Sequence, residues 1–467
     1  MQLPIVKHPT IVREHSAEFE SVFENRCQMQ HFQNYVTGLI VLENKTMANI
    51  SRCILESADK TNLSRFFSEA EWNDKSVNSK RISYMLEQTQ PQRQSAQKSV
   101  MPLDDTLCEH VGSLFEYVDR HYNHGDHSYP LAHNLVTSHY ISGAVRFPLD
   151  WRVYRRYEEY TNWVEFVQKH CPDREIPKRK KERNRFKKEM EPILLKDPEF
   201  KALHDSFCTK ISLAIELVQA AIEHKVPFET VLFDSWYLAP DLIKLLNDKD
   251  KNWISLLKIN RNIETNNLII KDEAGNRVNF EKPTIKVQDL IPLIPGSAFK
   301  AVEIGDQTYY CFSKNVRIPS LGKVRLVISF DNPELDGTCA VLVTNHLSWS
   351  PKKIIATYLL RWPIETFYQD AKQQLGLNDY RMRTAKAIEK HWCLVFVAYS
   401  FLHLDCLPSS PKKARFPVKT IGQVIRQQSQ QVIEALILHA HDLLTQDFDC
   451  RHVFDLLFSK QAYTMSS

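Results

Sequence analysis

The chain has 467 residues, enough for about two to four domains at roughly 100–200 residues each. Hydrophobic residues make up 43% and charged residues 25%, ordinary globular usage, and only 11 glycines exclude collagen-like or low-complexity sequence. Lys plus Arg number 60 against 56 Asp plus Glu, a net charge of +4 that is too small over this length to point to a polyanion, so a charged partner has to be read from where the charge sits. The ten cysteines form no C-x-x-C pair and no zinc-like spacing, which predicts free thiols in a reducing compartment. No basic flank followed by an apolar run opens the chain, so no secretory signal is read there. The longest apolar stretch, Trp392 to Leu404, is interrupted by Ser400 and His403 and falls short of the ~18 residues that span a bilayer. These features predict a cytoplasmic protein with no membrane partner.

Residues 1–95 carry helical spacing, as in Phe19, Val22 and Phe23 and again from Asn62 to Glu87, where Ser64 or Ser68 is the expected N-cap. They predict a small helical domain. The stretch 88–99, QTQPQRQSAQKS, is polar and broken by Pro91 and reads as a linker, with a boundary near 95. Short β-rich runs then alternate with helical ones: VMPL before Asp104, LAHNLVTSHYIS from 131, AVRFPL from 144, ETVLF before Asp234 and WISLLKI from 253. That alternation over 96–259 predicts a mixed α/β sheet domain. Within it, 151–221 is mostly helical and holds the main charge run, with nine Lys or Arg against two Glu between Arg174 and Lys188. Residues 260–330 read as a β-rich insertion with Gly275, Gly305 and Gly322 as turn markers. The second part of the sheet domain, 331–405, holds the buried-strand pattern CAVLVTN and a helix stopping at Gly376. A helical C-terminal region follows over 406–467.

Three acidic residues stand where elements would present them: Asp104 after VMPL, Asp234 after ETVLF, and Glu365 in the helix after CAVLVTN. Each alone is equally a turn or cap residue. Tyr358, Arg361, Glu365 and Lys372, however, fall at about 0°, 300°, 340° and 320° around a helix, one face carrying a carboxylate, two cations and a phenol. An exposed helix with an i,i+4 ion pair has this pattern too. So does a metal-binding carboxylate beside groups that grip phosphates, because cations neutralise the polyanion brought to the metal.

The spacing in YLLRWPIETFYQDAK resembles the YREK signature of DDE transposases of bacterial insertion sequences, and LDDT at 103–106 and FDSWY at 233–237 are similar to the regions around that family's first and second catalytic aspartates. The resemblance covers roughly residues 60–405. It implies an RNase H-like catalytic domain in which Asp104, Asp234 and Glu365 are the catalytic, metal-holding residues for two Mg²⁺ ions, with Mn²⁺ as a substitute. It further implies cleavage at transposon ends and strand transfer into target DNA, by water attack and then attack of a freed 3′-hydroxyl, in a bacterial, nucleoid-associated protein. The partners would be double-stranded DNA with terminal inverted repeats, target DNA and a second copy of the chain, as a homodimer on DNA. The family's Asp-x-Thr pattern favours Asp104 over Asp105, whose side chains would face opposite sides of a strand. Pro102 fits a central strand awkwardly, and Pro363 is expected to split the signature helix and start a new one, turning Tyr358 and Arg361 away.

DNA contacts are expected from Tyr358, Arg361 and Lys372, from Trp236 as a stacking surface beside Asp234, and from Lys178, Arg179, Lys180 and Lys181 in the charge run. The solvated helix face and the core aromatic are the ordinary alternatives. His121, His124 and His127 read as surface histidines of a loop rather than a zinc site. The N-terminal helices are the expected DNA-binding domain, since helices fit the major groove. Two other functions fit the same residues: an RNase H-like nuclease without strand transfer, and an inactive transposase-derived DNA-binding protein.

Overall fold

A computed structural model describes residues 3–55, 57, 59–94, 99–123, 125–408, 417 and 419–462. Six helices come first: α1 (Thr10–Ser16), α2 (Arg26–Val41), α3 (Met47–Cys53), α4 (Lys60–Ser68), α5 (Asp74–Gln88) and α6 (Gln90–Gln94). The caps are not the serines expected. Asp59 accepts from the Thr61 N–H and Asn73 from the Ser76 N–H, because a short acceptor one residue ahead of each helix reaches its free donors, while Ser64 and Ser68 lie inside α4. Helix α6 occupies part of the stretch read as a linker, whose residues 95–98 lie outside the described residues.

The strands β1 (Ser99–His110), β2 (Asp119–Arg120), β3 (Leu131–Ser142) and β4 (Val145–Tyr154) follow. Then come α7 (Tyr157–Tyr160), α8 (Trp163–His170), α9 (Lys180–Leu194), α10 (Pro198–Ser206) and α11 (Lys210–Glu223). After β5 (Thr230–Phe233), α12 (Pro240–Asp248) and β6 (Asn252–Leu256), the chain makes β7 (Asn262–Glu264), β8 (Thr284–Lys286) and α13 (Val287–Leu290). It continues through β9 (Lys300–Ile304), β10 (Gln307–Ile318), β11 (Gly322–Phe330) and β12 (Ala340–Thr344). Helices α14 (Pro351–Tyr358), α15 (Pro363–Gln374), α16 (Ala385–Cys406), α17 (Ile421–Thr445) and α18 (Cys450–Ala462) close it.

Ten strands form one mixed sheet in the order β2-β3-β1-β5-β6-β12-β11-β10-β9, with β4 also paired to β3. Strand β3 pairs antiparallel with both β1 and β4, and β5 and β6 run parallel to β1, the α11 and α12 connections supplying the crossovers that parallel pairing requires. This is the RNase H-like arrangement the resemblance implied. The β-rich insertion is not separate from the central sheet: β9, β10 and β11 extend that sheet beyond β12, and β7 and β8 pair apart from it. Pro102 is accommodated in β1, where the pairing with β3 passes from Val100↔Ile141 to Leu103↔Ser138 without partners for Met101 and Pro102.

Side-chain alternation along the strands divides the core. Met101, Leu103, Val231 and Phe233 face one side with Leu213, Leu217 and Leu242 of α11 and α12. Val100, Leu232, Ile254 and Leu342 face the other with Ile354 and Ile355 of α14. The N-terminal helices share a core with the C-terminal part of the chain: Phe19, Phe32, Tyr35 and Phe67 belong to one buried cluster with Phe367, Trp392, Phe396 and Phe401. Between β4 and α11, a lobe of four short helices has its own small core of Trp163, Phe166, Phe186, Met190, Leu194 and Phe200. All ten cysteines are free thiols. Among the described residues no helix is long and apolar enough to cross a membrane.

Candidate functional site

The parallel pairing of β1 and β5 matches Val100 to Thr230 and Pro102 to Leu232. Two residues beyond that last pair stand Asp104, within β1, and Asp234, one residue past the end of β5. Asp104 shares the face of Val100, the side covered by α14, because side chains two apart along a strand point the same way, and Asp234 acts with it on Tyr358 at the end of α14. Asp104 is not at a strand end, as the sequence suggested. Strand β1 continues to His110, paired there with β3 alone.

Glu365 arrives from a broken helix. Pro363 does start a new helix: α14 ends at Tyr358, Leu359–Arg361 form a 3₁₀ turn, and α15 begins at the proline. The break does not turn Arg361 away. Its guanidinium bridges two carboxylates, bonding Asp104 through Nη1 and standing 3.5 Å from Glu365 Oε1 through Nη2. Helix α15 is fixed against the sheet by buried Ile364, Phe367 and Ala371, and by Tyr368, whose hydroxyl lies 2.6 Å from Thr137 Oγ1. Thr137 is the β3 partner of Asp104, so one contact sets the height of Glu365 over the first aspartate.

Burial pushes the Asp104 carboxyl up to about 7; the Arg361 charge pulls it down, and Asp105 and Glu365 push it up again. Tyr358 lies within reach of the same charges. Burial pushes its phenol up to about 12, with Arg361 opposing and Asp234 and Asp104 adding. Asp234 is oriented by its own turn: its Oδ1 accepts the Trp236 N–H at 2.9 Å, and its carbonyl accepts the Ser255 hydroxyl at 3.1 Å.

Asp105 points to the opposite face. Its Oδ2 accepts from Lys210 Nζ at 2.7 Å and Asn134 Nδ2 at 3.0 Å, and its Oδ1 from the Tyr237 hydroxyl at 2.9 Å. Trp236 is 57% exposed, whereas its neighbour Tyr237 is fully buried. Lys210 and Lys258 stand over the Trp236 ring at 5.8 and 5.9 Å from its centroid. Neither lysine is marked by spacing, since each is brought to the site only by the fold. Trp362, 69% exposed, sits next to Arg361. Lys372, at the far end of α15, lies near Cys108 further along β1 and is half-buried.

The structure therefore brings together Asp104, Asp234, Tyr358, Arg361 and Glu365, with Trp236 beside them. Lys178, Arg179, Lys180 and Lys181 belong to the helical lobe instead. All four are exposed, and the ion pairs around them, Arg174–Glu189, Arg179–Glu182 and those of Arg183 and Lys187 with Glu158, stay within that lobe. His121 is buried rather than on the surface, with its imidazole pushed down to about 4 by burial, and His127 lies 2.8 Å from the Tyr122 hydroxyl. His124 lies outside the described residues. Among the described residues, no three His, Cys, Asp or Glu side chains stand together as a ready metal cage.

No curated protein matches the chain. The family model described as DDE superfamily endonuclease matches residues 18–268, more than half of the chain, and that of the transposase DDE domain matches residues 207–401. The first match holds Asp104 and Asp234 and the second holds Asp234 and Glu365, so the chain belongs to the DDE superfamily of endonucleases and transposases.

Proposed function

We propose that the chain is a transposase of the YREK-signature branch that cuts DNA at transposon ends and transfers the freed strands into target DNA. One observation carries the reading: Asp104 and Asp234 stand two residues beyond the last pair of β1 and β5 and both act on Tyr358, and Glu365 is tied to Asp104 through Arg361. Enzymes of the superfamily generally use divalent metal ions, and the donor set here suits them. Three carboxylates, one on a central strand, one just past a strand and one on a helix, are the ligands that hard cations take. Asp104, Asp234 and Glu365 would hold two Mg²⁺ ions, or Mn²⁺ in their place. Bound there, the ions supply stabilisation of the attacking and leaving oxygens of an in-line phosphodiester displacement.

The chain's own groups do the rest. Asp104 has to lose its proton to serve as a ligand, and Arg361 favours that loss. Arg361 and Lys372 neutralise DNA phosphates, the former exchanging a carboxylate partner for a phosphate. Trp236, exposed and flanked by two lysines, offers a face on which a base near the cut stacks. The cationic lobe lies along the DNA backbone. The N-terminal helices to about residue 95 read the terminal repeats, and two copies of the chain hold the two ends.

The test is incubation with DNA carrying the element's own ends and Mg²⁺, followed by sequencing of the products. Joined products are expected. Cleaved ends that never join would make the enzyme a nuclease, and binding without cleavage would make it a DNA-binding descendant of a transposase.

A further inference from the structure

Resting on the metal-holding role proposed for Asp104 and Asp234, we infer that Asp105 is a positioning residue: it ties β1 to the turn after Asp234 and thereby sets the separation at which the two aspartates hold a divalent cation. The backbone does not do this. The pairing of β1 with β5 ends at Pro102↔Leu232, two residues short of both carboxylates, so no ladder pair fixes their distance. Beyond that point the strands are joined by side chains. Asp105 Oδ1 accepts from the Tyr237 hydroxyl at 2.9 Å, and Tyr237 is fully buried three residues after Asp234. Its Oδ2 is held by Lys210 of α11 at 2.7 Å and by Asn134 of β3 at 3.0 Å, so the clamp has three anchors on three elements.

The same contacts argue that Asp105 is not itself a ligand. Both of its oxygens are taken, and its side chain lies on the face of β1 opposite Asp104. A half-buried carboxylate with both oxygens matched holds its partners, and breaking the bond to Tyr237 leaves the hydroxyl of a buried side chain without that partner. Groups that orient ligands from behind typically change metal affinity or activity by about 10–100-fold when removed.

Tyr237→Phe deletes one hydroxyl and nothing else. Binding of Mn²⁺ to the full chain, followed by electron paramagnetic resonance, is expected to weaken by about 10-fold or more in this variant. Cleavage of end-bearing DNA is expected to recover toward the parent rate as Mn²⁺ is raised, while thermal unfolding and DNA binding stay close to the parent. Asp105→Asn is expected to show the larger defect, and if it fails to fold, Tyr237→Phe alone decides. Parent-like Mn²⁺ affinity in Tyr237→Phe overturns the inference. The functional reading fails separately, by a different result: Mn²⁺ binding by the parent that Asp104→Ala leaves intact.

Discussion

Two carboxylates in this molecule meet cations and respond in opposite directions. Asp104, at the acidic end of the central sheet, is pushed up to about 7. Glu158, in the helical lobe, is brought down to about 2: burial pushes it up, and hydrogen bonds from Arg183 and Lys187 outweigh that. Both side chains are largely out of water, at 16% and 10% exposure. The difference is in the company. Glu158 has two cations to itself, whereas Asp104 shares one guanidinium with Glu365 and has Asp105 next to it. Charge in the lobe is arranged for stability; charge at the sheet end is concentrated in excess, which is what a site that receives further cations requires.

The largest effect should come from the excess itself. Glu365→Ala, Asp104→Ala and Asp234→Ala are each expected to bring cleavage of end-bearing DNA to background while DNA binding survives, since a two-cation displacement needs all three carboxylates. Full cleavage by Glu365→Ala would remove the sheet end as the active site. Asp105→Asn is expected to be milder than Asp104→Asn, and the reverse ranking would move the ligand one residue along.

Next in size is the pH dependence. With its pKa raised, Asp104 contributes stability that is fully present below the usual carboxylate range and is lost as pH rises through about 7. Cation binding needs the ionised form, so kcat/KM for cleavage should climb through that same range. In Arg361→Gln the opposing positive charge is gone and the acid limb should move to higher pH, with slower cleavage throughout. A limb that stays in place would show that Arg361 is not the counter-ion of Asp104 in solution.

Much of this was legible in the sequence, and the reasons are particular. The runs at 131–142 and 340–344 were readable as strands because their composition is a local property. The helical placement of Glu365 was readable because its apolar spacing is local, and Pro363 announced the break that α15 shows. The role of Asp105 was not readable, because Lys210 and Tyr237 reach it from 105 and 132 residues away. Nor was the packing of the N-terminal helices readable. Apolar spacing says that Phe19 and Phe67 face a core, and only the fold says that the core belongs equally to Phe367 and Phe401. Arg361 was expected to serve phosphates or to pair with Glu365 four residues on; its contact with Asp104 was not readable, because it crosses 257 residues.

A smaller effect tests the other half of the comparison. Glu158→Gln leaves Arg183 and Lys187 without their carboxylate and is expected to cost about 1 kcal/mol of stability at neutral pH, at the low end for charged hydrogen bonds because the pair is partly solvated. Because the Glu158 pKa is lowered, its contribution is present above the usual carboxylate range and is lost as pH falls toward about 2. Thermal unfolding of parent and variant should therefore converge on acidification. A gap that persists at the lowest pH would mean that the glutamate acts through packing.

The smallest effect per residue belongs to the exposed cations of the lobe. On α9, Lys181, Arg185 and Lys188 fall at about 0°, 40° and 340°, and the buried Phe186, Met190 and Leu194 at about 140°, 180° and 220°, so the cationic stripe lies directly opposite the lobe's core. Substituting it should leave the fold intact, since none of the three has a carboxylate partner among the ion pairs of the described residues. Each phosphate contact contributes about 0.9 to the slope of log affinity against log salt, so changing Lys181, Arg185 and Lys188 to Ala should lower the slope by up to about 2.7. Replacing Lys178, Arg179, Lys180 and Lys181 should lower it by up to about 3.6. Duplexes with and without the terminal repeats should lose affinity alike, because backbone contacts position the protein without reading sequence. An unchanged slope in both variants would return the stripe to an ordinary solvated face, and a loss confined to terminal repeats would make it a reader of bases.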